Sequence, residues 1–284
     1  MRLLLSISAA LSLLLTSCGG DVSAAMFAGG NGTYDFKNKW LDPEYHVDES
    51  KIHLMDFSSD EDTIYALYLG DISQIATDTI VLYLHGNASS MDNFWETAGL
   101  FANLGGQHHF GFMMYDYRGF GWSTGQSTGP ESMATDYDAV VEYLESQGLT
   151  SDRLVVVANS LGSLPAGPAA AGGSRISIQK LVMEVPQSTA NVIMQNATGL
   201  SLPSSMITSY KFDLGEDMAN YTGELLWMHG TADAVAPYET AKAAMQQHNG
   251  SYYQEAVYPD MGHGLRWDIG DEEWAGTILD FIRH

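Results

Sequence analysis

Residues 154–166 read Leu-Val-Val-Val-Ala-Asn-Ser-Leu-Gly-Ser-Leu-Pro-Ala, and this stretch decides how the rest of the chain is interpreted. Leu154 to Val157 is apolar and mostly β-branched, the pattern of a buried strand in a parallel sheet. The small residues that follow predict a sharp turn carrying Ser160 and then a helix packed close to the strand. Ala158 and Gly162 are small, as such a turn requires. A serine that caps a core helix is the alternative interpretation of this stretch alone.

A second turn follows the strand-like run Thr79 to Leu84 and reads His85-Gly86-Asn87. A helix is predicted after it, from about Met91 to Leu104. The backbone N–H of Asn87, at the exit of this strand, is a candidate donor to an oxyanion beside Ser160. For His85, a packed and hydrogen-bonded position inside the turn is favoured over a catalytic one.

A glycine-rich loop at residues 116–125 follows the next predicted strand, Gly111 to Tyr115. The loop reads Asp-Tyr-Arg-Gly-Phe-Gly-Trp-Ser-Thr-Gly. A phosphate-binding loop ends in Lys-Ser or Lys-Thr, whereas this loop does not and carries aromatic residues between its glycines. The pattern therefore disfavours a nucleotide site, and Arg118 is expected to pair with a carboxylate.

The remaining elements alternate strands with helices. Lys51 to Phe57 and Thr63 to Gly70 flank an acidic turn and predict an antiparallel hairpin. Glu131 to Gln147 predicts a crossover helix with one apolar face, and Asp271 is expected to cap the closing helix. Such an order of elements predicts a doubly wound, mostly parallel sheet.

Two acids and a histidine follow later predicted strands. Glu184 ends one strand, Asp233 follows the next, and His263 lies between two glycines after the last. Ligands in parallel sheets bind beyond the carboxyl ends of the strands, where Ser160, Asp233 and His263 all fall. A serine nucleophile needs a base to take its proton, and that base needs an acid to orient it. Asp233 is favoured over Glu184 as this acid because its loop lets the carboxylate turn toward His263.

With these residues placed, the sequence resembles the α/β-hydrolase superfamily from about Lys51 to His284. Five ordered motifs carry the resemblance: His85-Gly86-Asn87, Asp116-Tyr117-Arg118-Gly119, Ala158-Asn159-Ser160-Leu161-Gly162, His229-Gly230-Thr231-Ala232-Asp233 and Gly262-His263-Gly264. The predicted hairpin gives the sheet an antiparallel start, and the resemblance implies Ser160 as nucleophile, His263 as base and Asp233 as acid. It also implies an oxyanion hole formed by the backbone N–H groups of Leu161 and Asn87. Ala158 departs from the usual glycine, and its extra methyl group is expected to be tolerated with a small shift.

The chain looks most like the small-lid branch of that superfamily, which includes lysophospholipase-like, serine-aminopeptidase-like and palmitoyl-thioesterase-like proteins. A lid is predicted at about residues 186–218, between strands at the catalytic edge. The residues expected to line it are Ile193, Met194, Leu200, Leu202, Met206, Ile207 and Tyr210. A plain crossover with these apolar side chains in the core is the alternative.

The first residues resemble an export signal. Arg2 precedes an apolar stretch, Leu3 to Leu15, that is too short to span a bilayer, so residues 1–17 are predicted to be a signal peptide. Leu15-Thr16-Ser17-Cys18 resembles the bacterial lipoprotein box, in which Cys18 is acylated after cleavage. An unmodified thiol in a discarded signal is the alternative.

Residues 18–50 are interpreted as the lipidated cysteine, a mobile polar tether and a lead-in, with the catalytic domain at 51–284. We therefore expect an exported protein, lipid-anchored to a bacterial membrane, with the outer membrane or the cell surface favoured. Cys18 is the only cysteine, so no intramolecular disulfide can form.

Composition narrows the function further. The 284 residues fit one α/β domain, and a net charge of −23 argues against a nucleic-acid partner. The sequence predicts a monomeric serine hydrolase that cleaves carboxylic ester or thioester acyl bonds through an acyl-enzyme, without metal or cofactor. A serine peptidase and a catalytically silent binding protein with the same fold are the alternatives.

Overall fold

The structure is a computed structural model that describes residues 27, 29–36, 45–87, 90–103, 110–199, 203–206 and 208–284. The predicted signal peptide, 1–17, and Cys18 lie outside these residues. Among the described helices, none has the length and the apolar character needed to cross a bilayer.

The described residues form an eight-stranded sheet with the order β1-β2-β4-β3-β5-β6-β7-β8. The strands are β1 Ile52–Ser59, β2 Asp62–Leu69, β3 Thr79–Leu84, β4 Phe110–Tyr115, β5 Leu154–Asn159, β6 Lys180–Glu184, β7 Glu224–Gly230 and β8 Tyr252–Tyr258. The pairs β1–β2 and β2–β4 are antiparallel, and every later pair is parallel. The predicted mostly parallel sheet with an antiparallel start is confirmed.

Helices cover both faces of this sheet. They are α1 Trp95–Asn103, α2 Pro130–Ser146, α3 Ser163–Pro168, α4 Ala190–Thr198, α5 Leu214–Asn220, α6 Tyr238–Met245, α7 Leu265–Ile269 and α8 Asp271–Arg283. Alternate residues of β5 pack on opposite faces of the sheet, because successive side chains of a strand point to opposite sides. Leu154 and Val156 pack in one cluster with α2, whereas Val155 and Val157 pack in the other with α1 and α8.

The glycine-rich loop after β4 is held by ion pairs. Arg118 bonds the buried Asp136 of α2 through Nε at 2.9 Å and Nη2 at 2.8 Å, and it approaches Asp60 of the β1–β2 turn at 3.4 Å. The predicted pairing of Arg118 with a carboxylate is confirmed. This side chain ties the turn, the loop and the crossover helix together.

The start of α8 differs from the prediction. The N-cap residue is Gly270, and Asp271 is the first residue of the helix. The Asp271 carboxylate instead accepts hydrogen bonds from Arg266, at 2.6 and 3.1 Å, and from the hydroxyl of Tyr45 at 2.8 Å. A charged guanidinium competes successfully with backbone N–H groups for this acid, and the sequence pattern alone does not contain that contact.

The predicted mobile tether also differs where the structure describes it. Phe27, Tyr34 and Phe36 are buried, with at most 7 % of each residue exposed. The hydroxyl of Tyr34 donates to Asp116 in the glycine-rich loop. Three aromatic side chains bury enough apolar area to pack this otherwise polar segment against the domain.

Candidate active site

Ser160 stands on a strained turn between β5 and α3. Its φ angle of 50° lies in the left-handed region, which is uncommon for a residue with a side chain. Gly162 makes the turn possible, because a Cβ at that position would meet the carbonyl oxygen of Leu84 at 2.1 Å. The Ser163 hydroxyl donates to the carbonyl of Ser160 at 2.7 Å and fixes the turn from within.

Asp233 lies in the loop after β7, and its two carboxylate oxygens have different partners. Oδ1 accepts the backbone N–H groups of Val235 and Ala236, each at 2.8 Å, and Oδ2 lies 2.7 Å from Nδ1 of His263. Burial acts to raise the pKa of Asp233. The hydrogen bond and charge of His263, with the two backbone donors, outweigh burial and hold this pKa below its usual value.

His263 connects Asp233 with the serine. Because a carboxylate only accepts hydrogen bonds, Nδ1 of His263 is the donor to Asp233, and Nε2 is left as an acceptor. The Ser160 hydroxyl donates to this Nε2 at 2.9 Å. The structure therefore brings Ser160, His263 and Asp233 into one hydrogen-bonded chain, and a proton can pass from the serine to the imidazole.

Gly230 and His229, whose roles were not predicted from the sequence, hold the hydrogen-bonded series of Ser160, His263 and Asp233 in place. Gly230 lets β7 approach the loop that carries His263, since a Cβ there would lie 2.3 Å from the carbonyl oxygen of Met261. His229, fully buried, accepts from Trp227 Nε1 at 3.2 Å and donates through Nε2 to the carbonyl of Ala236 at 2.9 Å. Gly230 and His229 both belong to the His229–Asp233 motif. This motif is the sequence pattern from which their roles could have been predicted.

Glu184, the alternative acid, has a different set of partners. Its carboxylate is 2 % exposed and accepts from Nε1 of Trp274 at 2.8 Å and from the side chain of Asn159. Burial raises its pKa, and these two hydrogen bonds oppose that rise. The hydrogen bond to His263 is made by Asp233 and not by Glu184.

The residues of the predicted oxyanion hole lie beside Ser160. Leu161 directly follows the serine in the turn, and Asn87 lines the same cavity as Ser160 and His263. His85 is fully buried, with Nδ1 at 2.7 Å from the carbonyl of Gly86 and Nε2 at 3.2 Å from Asp116. The favoured interpretation of His85 as a packed residue of this turn agrees with these contacts.

Two cavities meet at Asn87. The first, here called the Glu184 cavity, has a volume of 190 Å³ and is lined by Asn87, Ser160, His263 and Glu184 with several aromatic side chains. The second, the Phe27 cavity, has a volume of 280 Å³ and is mostly apolar. It is lined by Phe27, Asn87, Leu161, Gln187, Ile193, Asn196, Ala197, Ala234 and Val235. In the part of the chain that is described, no group of three or more His, Cys, Asp or Glu side chains is placed to hold a metal ion.

Comparisons with known proteins agree with this architecture. The sequence model for the family described as alpha/beta hydrolase fold matches residues 79–207. The structure of an esterase from Pyrococcus furiosus, Pf2001, superposes with a TM-score of 0.70 at 16% identity, covering 91% of this chain and 97% of that one. This protein has the α/β-hydrolase fold.

Among curated sequences, an uncharacterized protein of Salmonella typhi, YfhR, is 25% identical over 173 residues, which cover 57% of this chain and 56% of that protein. The human alpha/beta hydrolase domain-containing protein 17C is 23% identical over 171 residues, covering 59% of this chain and 47% of that protein. The chain therefore spans about half the length of the curated relatives it matches.

The predicted lid segment of this α/β-hydrolase fold is divided between several environments. Met194 of α4 is fully buried, Ile193 lines the Phe27 cavity, and Met206 is 71% exposed. Tyr210 packs against Phe27 with ring centroids 5.7 Å apart. Leu200, Leu202 and Ile207 lie outside the described residues. One predicted lid residue thus reaches a cavity beside the candidate nucleophile, and another lies in the core.

Proposed function

We propose that this protein is a serine hydrolase that cleaves carboxylic ester or thioester bonds through an acyl-enzyme. The hydrogen-bonded chain from Ser160 through His263 to Asp233 is the observation that carries the proposal. The α/β-hydrolase fold, and an esterase among its structural neighbours, support a hydrolytic function.

In the proposed reaction, Ser160 Oγ attacks the acyl carbon while its proton passes to Nε2 of His263. Asp233 stabilises the imidazolium that forms. The carbonyl oxygen becomes an oxyanion that accepts from the backbone N–H groups of Leu161 and Asn87. The bond to the leaving group then breaks, His263 returns the proton to the leaving atom, and the acyl group remains on Ser160. Water attacks the acyl-enzyme by the same route and releases the acid.

Labelling with a fluorophosphonate probe tests this proposal, because the probe reacts with an activated serine hydroxyl. We expect the wild-type protein to gain the mass of one phosphonyl group on the peptide that contains Ser160, and the Ser160→Ala variant to gain none. Circular dichroism of both proteins verifies that they are folded. A folded wild-type protein that stays unlabelled contradicts the proposal and supports a silent binding protein.

Export and anchoring form a separate proposal. The apolar stretch and the Leu15-Thr16-Ser17-Cys18 sequence support a protein that is lipid-anchored through Cys18, at the outer membrane or the cell surface. Two or more acyl chains on this cysteine would give stable attachment, whereas one chain binds only reversibly. We propose that the anchored protein acts as a monomer.

A further inference from the structure

We infer that the Glu184 cavity receives the leaving group of the substrate. This assignment rests on the proposed function, in which His263 returns a proton to the leaving atom. That atom must come within hydrogen-bond distance of His263 Nε2, so the leaving group lies on the His263 side of Ser160. His263 lines the Glu184 cavity and not the Phe27 cavity. The acyl chain therefore takes the Phe27 cavity, which is lined by Leu161 and mostly apolar side chains.

The Glu184 cavity is small and its floor is acidic. Its volume of 190 Å³ is smaller than the 280 Å³ of the Phe27 cavity, so it suits the smaller part of the substrate. Glu184 and Trp274, both almost fully buried, form the floor. The hydrogen bonds to Glu184 come from neutral donors, Trp274 Nε1 and the Asn159 side chain, and burial raises the pKa of this carboxyl. A cation bound in the cavity would oppose that rise and stabilise the carboxylate.

The other charged side chain of the cavity, Arg266, does not compensate Glu184. Its guanidinium bonds Asp271 at 2.6 and 3.1 Å and lies 3.4 Å from Glu96. Two carboxylates therefore balance this one cation, and its charge acts on Glu184 only through space. Among the described residues, Glu184 has hydrogen bonds from neutral donors and no ion pair, so a bound cation would be its direct charge partner.

Aromatic rings complete the cavity. Tyr83, Phe94 and Trp267 line it, and Trp267 is 72% exposed. A carboxylate surrounded by aromatic faces is the environment that binds ammonium groups, through charge and through cation–π contact. We propose that this cavity selects leaving alcohols that carry a positive charge, so that the substrates are esters of small ammonium-bearing alcohols with an apolar acid. Glu184 is the specificity-determining residue.

Two esters of the same acid test the proposal. Choline hexanoate and 3,3-dimethylbutyl hexanoate have leaving alcohols of the same shape, and only the first is charged. We expect kcat/KM of the wild-type protein to favour the choline ester, after division by the rates of hydroxide-catalysed hydrolysis. In Glu184→Gln this preference should fall about tenfold or more, as expected when a charged partner is lost from a buried contact.

The matched control is Glu145→Gln, which also removes one carboxylate. Glu145 pairs with Arg175 on the surface of α2 at 3.0 Å and lines neither cavity, so the preference should stay unchanged. If Glu184→Gln slows the hydrolysis of both esters equally, Glu184 positions His263 or stabilises the fold and does not select the leaving group. That result overturns the proposal. If Glu184→Gln does not fold, competitive inhibition of the wild type by choline and by 3,3-dimethylbutanol decides, and equal inhibition overturns the proposal.

A third substrate separates this inference from the proposed function. Hydrolysis of 4-nitrophenyl hexanoate without any preference for the choline ester overturns the ammonium selectivity alone. Failure to hydrolyse any of these esters, together with an absence of fluorophosphonate labelling, overturns both.

Discussion

The left-handed backbone conformation of Ser160 lowers the stability of the folded protein. A residue with a Cβ pays about 1–2 kcal/mol in the left-handed region, whereas glycine pays little. We expect Ser160→Gly to be more stable than Ser160→Ala by about 1 kcal/mol, since both lose the hydroxyl and only the glycine relieves the φ angle of 50°. Urea unfolding of the two variants measures the difference. Equal midpoints with equal slopes would show that the strain is absent.

Asp233 is expected to matter for turnover more than for folding. Asp233→Asn keeps the shape of the side chain but replaces the acceptor of the His263 Nδ1 proton, so the imidazole loses its correct tautomer. In the best-studied triad such a change lowers kcat about ten-thousandfold. We expect a loss of similar order in ester hydrolysis, with a melting temperature close to that of the wild type.

Asp260→Asn is a suitable control, because Asp260 is an exposed acid in the loop that leads to His263. Its turnover should remain near that of the wild type. Near-normal kcat in folded Asp233→Asn, combined with a large loss of kcat in Glu184→Gln, would identify Glu184, at the end of β6, as the acid that orients His263.

The residues of the site differed in how far the sequence could place them. Ser160 and His263 stand in short local patterns, a strand followed by a small-residue turn and a histidine between glycines, and such patterns are visible without a structure. The partner of Glu184 is Trp274, which lies in the closing helix and is distant in sequence. No local pattern contains that contact, so the Glu184 cavity was found only in three dimensions.

At the scale of elements, the positions of the strands could be predicted from the sequence because their apolar runs are local and nearly continuous. The residues at which helices begin and end were harder to predict. Asp271 has the residue type of an N-cap, yet Arg266 binds its carboxylate, and a glycine takes the cap position. The segment at residues 29–36 has a linker-like composition, but a few aromatic side chains bury it. In both cases a tertiary contact outweighs the local preference.

The helix α5 carries an acid that should make stability depend on pH. Burial, with the charges of Glu216 and Asp213, raises the pKa of Asp217 to about 7. An aspartate in an unfolded chain titrates near pH 3.9, so the folded state binds this proton more tightly. Stability from this group is therefore gained as the pH falls from about 7 to about 4, and it is lost as the pH rises through the same range.

Replacing Asp217 by Asn should remove this dependence. We expect Asp217→Asn to raise the melting temperature by several degrees at pH 8 and to have little effect at pH 4, where the unfolded aspartate also binds a proton. Glu239→Gln, which removes an exposed acid from the first turn of α6, is the control for the change in net charge. An equal effect of Asp217→Asn at both pH values would contradict the pKa assigned to Asp217.

At the scale of the whole molecule, the acidic charge and the proposed anchor place limits on where the protein acts. A net charge of −23 favours solubility of the domain and opposes contact with anionic phosphates. Phe27, which lines the Phe27 cavity, follows Cys18 by 27 − 18 = 9 residues. A fully extended chain spans about 3.3–3.6 Å per residue, so this cavity lies within about 30 Å of Cys18, the proposed site of lipidation.

Removing the cysteine tests the anchor. We expect Cys18→Ser to move the protein from the membrane fraction to the soluble fraction, because the proposed acyl chains on Cys18 would supply the attachment and no described helix can span a bilayer. Ser17→Ala, which keeps the cysteine, should stay with the membranes. Fluorophosphonate labelling of the released variant verifies that its domain is intact. If Cys18→Ser still fractionates wholly with membranes, another part of the chain binds them, and the bound on the distance between cavity and membrane no longer holds.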